Sequence, residues 1–195
     1  LVEGSSQIAA NLRAFFHSCC RNDAPGSSEP ALWLFAAHFE ARRALHASWV
    51  GDSSSSSTSD SGGTDRSAAS VLRVINLYER AVACPEIQHS SVVWSAYLSF
   101  LLQRYTDLQK RSAGQATSSE AADAALGAKR VFFRAIRACG EAKCLWMAAF
   151  TFPTLCRLMS KTELIELHDL MVEKDIRMHV DLDEVQLPFF SLGGS

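Results

Sequence analysis

Six cysteines and six histidines are the side chains of this chain best suited to chemistry. Cys19, Cys20, Cys84, Cys139, Cys144 and Cys156 contain no Cys-x-x-Cys pair. His17 stands three positions before Cys20, but no second ligand pair follows at zinc spacing, so no metal site is expected. Thiols scattered along apolar stretches point instead to reduced, buried cysteines of an intracellular protein. Gly62-Gly63 lies in a serine tract with no Lys-Ser/Thr after it, which is not a phosphate loop. His168 and Asp169 are neighbours on a helix and are expected to point in different directions, as are Glu79 and Arg80. Arg80 is expected to reach a Glu40-type residue on a facing helix, a structural role. No spacing here performs catalysis or holds a cofactor, so the expectation is a protein that is not an enzyme. Arg42-Arg43, Lys110-Arg111 and Lys129-Arg130 are basic pairs that would suit RNA phosphates. Charged pairs on helices are ordinarily solvated faces, and a net charge of −2 gives no basic excess for general nucleic-acid binding.

The elements that carry these residues are helices, and they recur. Trp94, Tyr97 and Phe100 stand at steps of three, which lines one face of a helix. Before it, Leu77-Tyr78-Glu79-Arg80-Ala81-Val82 reads as an apolar helix that Pro85 cannot continue. The aromatic helix appears three times: Leu32-Trp33 with Ala36, Phe39 and Glu40; Val93-Trp94 with Tyr97, Phe100 and Leu101; Leu145-Trp146 with Ala149, Phe152 and Pro153. Its partner aligns without gaps as Phe15-Phe16-His17-Ser18-Cys19, Tyr78-Glu79-Arg80-Ala81-Val82 and Phe132-Phe133-Arg134-Ala135-Ile136. From the basic residue to the next Trp takes sixteen, fourteen and twelve positions. Periodic helix pairs mean a solenoid, because one pair cannot bury its own aromatics, each worth about 150–250 Å². The repeat core predicted on this basis is Trp33, Phe39, Tyr78, Arg80, Ala81, Trp94, Tyr97, Phe100, Phe132, Arg134, Ala135, Trp146 and Phe152. Ser18, Ala81 and Ala135 are the small residues expected to let helices approach closely.

With 195 residues, 48 % of them hydrophobic, the chain can bury one core of several helix pairs. It starts at Leu1 and not at Met, which predicts a fragment or a processed piece. The expected helices run from about Ser5 to Cys20, from a cap at Ser28 with Pro30 in the first turn to about Trp49, and from Ser67 to Cys84. Two more follow, from Ser90 or Ser91 to Lys110, and from a capping box at Thr117-Ser118-Ser119-Glu120 to Cys139, where Gly140 ends the helix. Pro153 should kink or stop the third aromatic helix. Ser160-Lys161-Thr162-Glu163 is a second capping box, opening a last helix with Leu164, Leu167 and Met171 on one face. Residues 51–66, with five consecutive serines at Ser53 to Ser57, and residues 112–119 have nothing apolar to bury and read as disordered insertions. Asp52, Asp60 and Asp65 among the serines would suit phosphorylation, though a passive spacer is favoured. A single repeat domain is therefore expected over 5–187, with an acidic segment at Asp181–Glu184 and a flexible tail over 188–195. No apolar run reaches the ~18 residues of a membrane-spanning helix, and the first thirty residues lack a signal-peptide pattern.

The Trp-x-x-Tyr-x-x-Phe helix at Trp94, its counterparts at Trp33 and Trp146, and the Tyr78-Glu79-Arg80-Ala81 partner resemble the half-a-tetratricopeptide (HAT) repeat of RNA-processing proteins. The run from Ala128 to Glu184 resembles the C-terminal end of the "necessary for RNA interference" (nuclear RNAi defective) family. The matching pieces are Val131-Phe132-Phe133-Arg134-Ala135-Ile136, Trp146, Leu170-Met171-Val172-Glu173-Lys174, Ile176-Arg177 and Val180-Asp181-Leu182-Asp183-Glu184. The resemblance implies an all-α superhelix of about three and a half HAT-like repeats. It also implies a nuclear, non-enzymatic interaction scaffold in RNA silencing, splicing or RNA surveillance. Its implied partners are proteins of the nuclear RNA-processing machinery, with an exosome-associated RNA helicase contacted through a region outside this piece. The competing reading is a direct RNA-binding module. One continuous basic face would favour RNA, and scattered basic residues would favour protein.

Overall fold

In the computed structural model of the chain, the backbone is described for residues 2–20, 28–52, 62–111 and 119–176, and side chains for 7–20, 28–43, 68–111 and 119–176. The elements are α1 (Val2–Cys19), α2 (Pro30–Asp52), α3 (Gly62–Ala83), α4 (Ser91–Arg111), α5 (Ser119–Ala138), α6 (Lys143–Thr151), α7 (Pro153–Leu158) and α8 (Lys161–Glu173). No strand occurs among the described residues.

Local chemistry sets most of the boundaries. α3 stops two residues before Pro85. The third aromatic helix breaks at Phe152, which takes an extended conformation (φ −90°, ψ 107°), and Pro153 opens α7 as its first residue. The Ser160 hydroxyl accepts from the Glu163 N–H at 3.2 Å while the Glu163 carboxylate accepts from the Ser160 N–H at 2.7 Å, the reciprocal pair of a capping box. At the start of α2 the expected cap moves by one. Pro30 is the first helical residue, so Glu29, and not Ser28, precedes the helix.

The predicted 51–66 insertion shrinks from both sides. α2 continues through Asp52 and α3 begins at Gly62, so both ends are helical, not disordered. Extending an existing helix costs far less than starting one, since each added residue gains a hydrogen bond. Residues 53–61, residues 112–118 with the first half of the predicted capping box, and the acidic segment and tail within 177–195 lie outside the described residues.

Packing follows chain order. α3 lies mainly on α2 and α5 mainly on α4, while α1 with α2 and α3 with α4 touch less extensively. α2 also meets α4, and α4 meets α6. One apolar cluster runs through the stack, from Cys20 and Trp33 through Val74, Tyr78, Trp94, Leu98 and Phe132 to Trp146, Leu155, Leu167 and Met171. Each helix thus buries a stripe on its neighbours, as in a stacked helical array.

No disulfide joins the six cysteines. Cys20, Cys84 and Cys139 are buried, Cys19 and Cys156 are half-buried, and Cys144 is exposed. Burial pushes the Cys20 thiol up to about 11, against a smaller opposing pull from Arg80. Mass spectrometry after brief iodoacetamide treatment of native protein should therefore find Cys144 alkylated first and Cys20, Cys84 and Cys139 only after denaturation. Early labelling of Cys20 would contradict this core.

Candidate interaction surface

Two polar nodes tie the helices together, each centred on a glutamate. At the first, Glu40 of α2 is buried and accepts from Arg13 of α1, Nε to Oε1 at 2.6 Å and Nη2 to Oε2 at 3.0 Å. Arg73 of α3 approaches the same carboxylate at 3.5 Å. Burial alone would raise the Glu40 carboxyl; the Arg13 bonds and the charges of Arg13, Arg73 and Arg43 overcome it and hold the group below the usual range. Arg80 does not join this node, contrary to expectation. It donates to the Cys20 carbonyl at the end of α1, and its guanidinium lies 5.5 Å from the Trp33 ring centre.

The second node is built on Glu79 of α3. Arg134 of α5 forks onto it at 2.7 and 2.9 Å, and Tyr97 of α4 donates its hydroxyl at 2.9 Å. Arg134 holds the Glu79 carboxyl below its ordinary value, while burial and then the bond to Glu79 raise the Tyr97 hydroxyl. The Arg134 guanidinium also sits 5.4 Å from the Trp94 ring centre. Arg80 and Arg134 therefore do the same thing one pair apart: each reaches back over the Trp of the preceding aromatic helix. The two later Trp residues also share a device. Trp94 Nε1 donates to the Gln88 carbonyl at 2.7 Å and Trp146 Nε1 to the Gly140 carbonyl at 2.9 Å, in both cases six residues upstream.

Most predicted core residues meet here. Trp33, Tyr78, Ala81, Trp94, Tyr97, Phe132, Ala135 and Trp146 are buried, and Phe39 and Phe100 are half-buried. Tyr78 stacks on Tyr97 with ring centres 4.9 Å apart and touches Phe100; Phe39 packs against Phe16. Phe152 does not belong to the core. It is 42 % exposed, because the break at Pro153 turns its backbone out of helical register, and Leu155 is buried instead. The first partner helix is also shifted. Phe15 and Ser18 are exposed while Phe16 packs on the core and Cys20 is buried, so Phe16, not Phe15, matches Tyr78 and Phe132. Ser18, which bonds the Phe15 carbonyl, provides no close approach of helices. Arg13 and Arg73 carried no motif in the sequence and emerge only as partners of Glu40.

Neither recess gathers catalytic groups among the described residues. An open hollow of about 1000 Å³ is lined by His89, Cys139, Glu141 and Lys174. There His89 Nδ1 is tied to the Ala138 carbonyl at 2.7 Å, and burial, then the neighbouring Cys144, raises the Cys139 thiol, the wrong direction for a nucleophile. A cleft of about 180 Å³ between α1, α2 and α3 is lined by Arg13, Phe16, Phe39, Arg73 and Leu77. No cluster of three or more His, Cys, Asp or Glu side chains is placed to hold a metal among the described residues. His168 and Asp169 do approach, at 3.5 Å, contrary to expectation, but on an open surface where both side chains can swing together.

Several of the described basic residues are engaged. Arg104 pairs with Glu120 at 3.1 Å, Lys129 with Glu163 at 2.6 Å, and Arg43 lies over Phe39 at 5.8 Å. Against known proteins, the chain is similar to the nuclear exosome regulator NRDE2 of Mus musculus, 28 % identical over 191 residues and 95 % of this chain. It is likewise 28 % identical to the nuclear exosome regulator NRDE2 of Homo sapiens over 187 residues, again 95 % of this chain. The chain spans 13 % of the length of each of these relatives. No protein-family model matches it. No solved structure matches it either. The similarity covers nearly the whole chain, and so both nodes. No helix among the described residues is long and apolar enough to cross a membrane.

The paired carboxylates set an acid limit. The Lys129 and Ser160 bonds hold Glu163 at about 2, and Glu79 and Glu40 are also depressed. Carboxylates depressed in the folded state stabilise it fully above their unfolded value of about 4.3, and that contribution is lost as pH falls through the native value. The melting temperature should therefore hold between about pH 7 and 5 and fall towards pH 2. Glu163→Gln should melt lower at pH 7 and lose less on acidification. A flat profile down to pH 2 would show these pairs to be energetically silent.

Proposed function

We propose that this chain is a HAT-like helical-repeat module of a nuclear RNA-processing factor, acting as a non-enzymatic protein-interaction scaffold alongside the exosome and its associated RNA helicase. The observation that carries the reading is the similarity, over 95 % of the chain, to proteins named nuclear exosome regulators. The stacked helix pairs support a scaffold, since such arrays present extended surfaces for partners. The engagement of five basic residues in ion pairs supports a protein partner over RNA. Arg13, Arg73, Arg104, Lys129 and Arg134 are held by carboxylates. A nucleic-acid surface needs several phosphate-neutralising cations along one face. The test is affinity capture of the full-length protein from nuclei, with residues 1–195 retained or deleted, quantifying exosome subunits and the helicase by mass spectrometry. Loss of a defined exosome-linked partner on deletion is the expected result. Unchanged partners, together with salt-sensitive binding of single-stranded RNA by residues 1–195, would replace the scaffold with an RNA-binding module.

A further inference from the structure

α1 differs from α3 and α5 in one respect. With Phe16 set over Tyr78 and Phe132, the residues Ile8, Leu12, Phe15 and Cys19 fall on Ser70, Val74, Leu77 and Ala81 of α3 and on Ala124, Ala128, Val131 and Ala135 of α5. This spacing runs down one side of a helix. In α5 all four positions are buried, and in α3 three are buried and Leu77 is half-buried. In α1 the first three positions are bare, Ile8 62 %, Leu12 39 % and Phe15 53 % exposed, and Cys19 is half-buried. The adjacent stripe behaves largely alike in all three helices. Cys20, Val82 and Ile136 are buried, Arg13, Ile75 and Lys129 are half-buried, and Phe16 is half-buried where Tyr78 and Phe132 are buried. α1 therefore seats its inner face as its counterparts do and lacks only what covers the outer one.

What covers that stripe elsewhere is visible. α3 packs chiefly on α2 and α5 chiefly on α4, in each case the aromatic helix just before it. We propose that the Ile8–Leu12–Phe15 stripe is the seat of one further helix of the same polypeptide, outside residues 1–195, standing to α1 as α2 stands to α3. Three large apolar side chains in one exposed row mark a contact surface, where single ones would not. The polypeptides similar to this chain are long enough to supply such a helix, since the chain spans 13 % of their length. Packing density fixes its character. α4, with Trp94 and Leu98 buried, packs on α5, whose stripe is rich in alanine, while α2 carries Ala36 and Ala37 beside Trp33 and packs on α3, whose stripe holds the larger Val74 and Leu77. The stripe of α1 is bulkier than either, so the occupant presents small residues there. Ser18 stands where α3 and α5 carry Arg80 and Arg134, so no arginine reaches back from α1 onto this helix. The proposal rests on how these helices stack and not on which partner the module serves, so failure of the exosome capture leaves it standing.

Hydrogen exchange of the α1 amides, compared between residues 1–195 and the full-length protein, tests it. Exchange across Ile8 to Cys19 is expected to slow at least tenfold in the full-length protein. Phe15→Asp should lower the melting temperature of the full-length protein and leave that of residues 1–195 unchanged. Phe35→Asp, at a somewhat more exposed site off the stripe, should change neither. Equal exchange in both chains, or an equal effect of Phe15→Asp on both, overturns the proposal. So does protection of α1 only on self-association of residues 1–195 or only on addition of another protein.

Discussion

Replacing Trp94 with alanine is expected to lower the melting temperature of residues 1–195 by on the order of 10 °C. Trp94 is buried, its indole N–H is spent on the Gln88 carbonyl, and its ring lies beneath Arg134. Truncating a buried aromatic costs about 3–5 kcal/mol, and in a chain of this size each kcal/mol moves the midpoint by about 2–4 °C. Removing the ring also leaves the Gln88 carbonyl only the long contact from the Cys139 thiol, and Arg134 without its face. Trp94→Phe should fall between, keeping most of the apolar contact while losing a hydrogen bond worth about 1 kcal/mol. Differential scanning calorimetry of the three proteins orders the effects. A Trp94→Ala midpoint within 2 °C of wild type would remove Trp94 from the core, whatever its burial.

The second large effect separates two phenylalanines that look equivalent in the sequence. Phe132 is fully buried at the centre of α5, and Phe132→Ala should cost about 3–5 kcal/mol. Phe152 stands at the same step from its Trp as Phe100 does, yet it is 42 % exposed at the break between α6 and α7. Phe152→Ala should therefore cost less than about 1 kcal/mol. Urea titration followed by circular dichroism measures both. Comparable losses would mean that the third aromatic helix continues through Pro153 and that the break is misplaced.

These contrasts show where sequence reading succeeds. Helices, their breaks at Pro85 and Pro153, the Ser160–Glu163 capping box and the three buried Trp residues follow from local rules that act within a few residues, and those rules are legible without a fold. Three things were not. The sequence spacing pairs Phe15 with Tyr78, but one position turns a helix by about 100°, enough to exchange an exposed face for a buried one, and only the packing against α2 decides it. The partner of Arg80 was expected to be a carboxylate, but Glu40 is already held by Arg13 and Arg73, and the free Cys20 carbonyl at the end of α1 offers the nearer acceptor. Phe152 kept the spacing of its counterparts while losing the helical backbone that gives the spacing its meaning. The Glu79–Arg134–Tyr97 node was invisible because its members lie 18 and 55 positions apart, on three different helices.

The backward reach of Arg80 and Arg134 has a mechanical consequence. Each arginine fastens its helix to the tryptophan of the helix before it and also reaches the helix before that, Arg80 through the Cys20 carbonyl after α1 and Arg134 through Glu79 of α3. A stack joined mainly between successive helix pairs transmits tension through those joints in series. Pulled from its two ends, such an array should yield at its weakest joint first and lengthen in steps of one helix pair, with the remaining pairs still folded. An optical-trap record should therefore show several small rips in place of one large one. A partner gripping two neighbouring pairs would act as a splint across the joint between them.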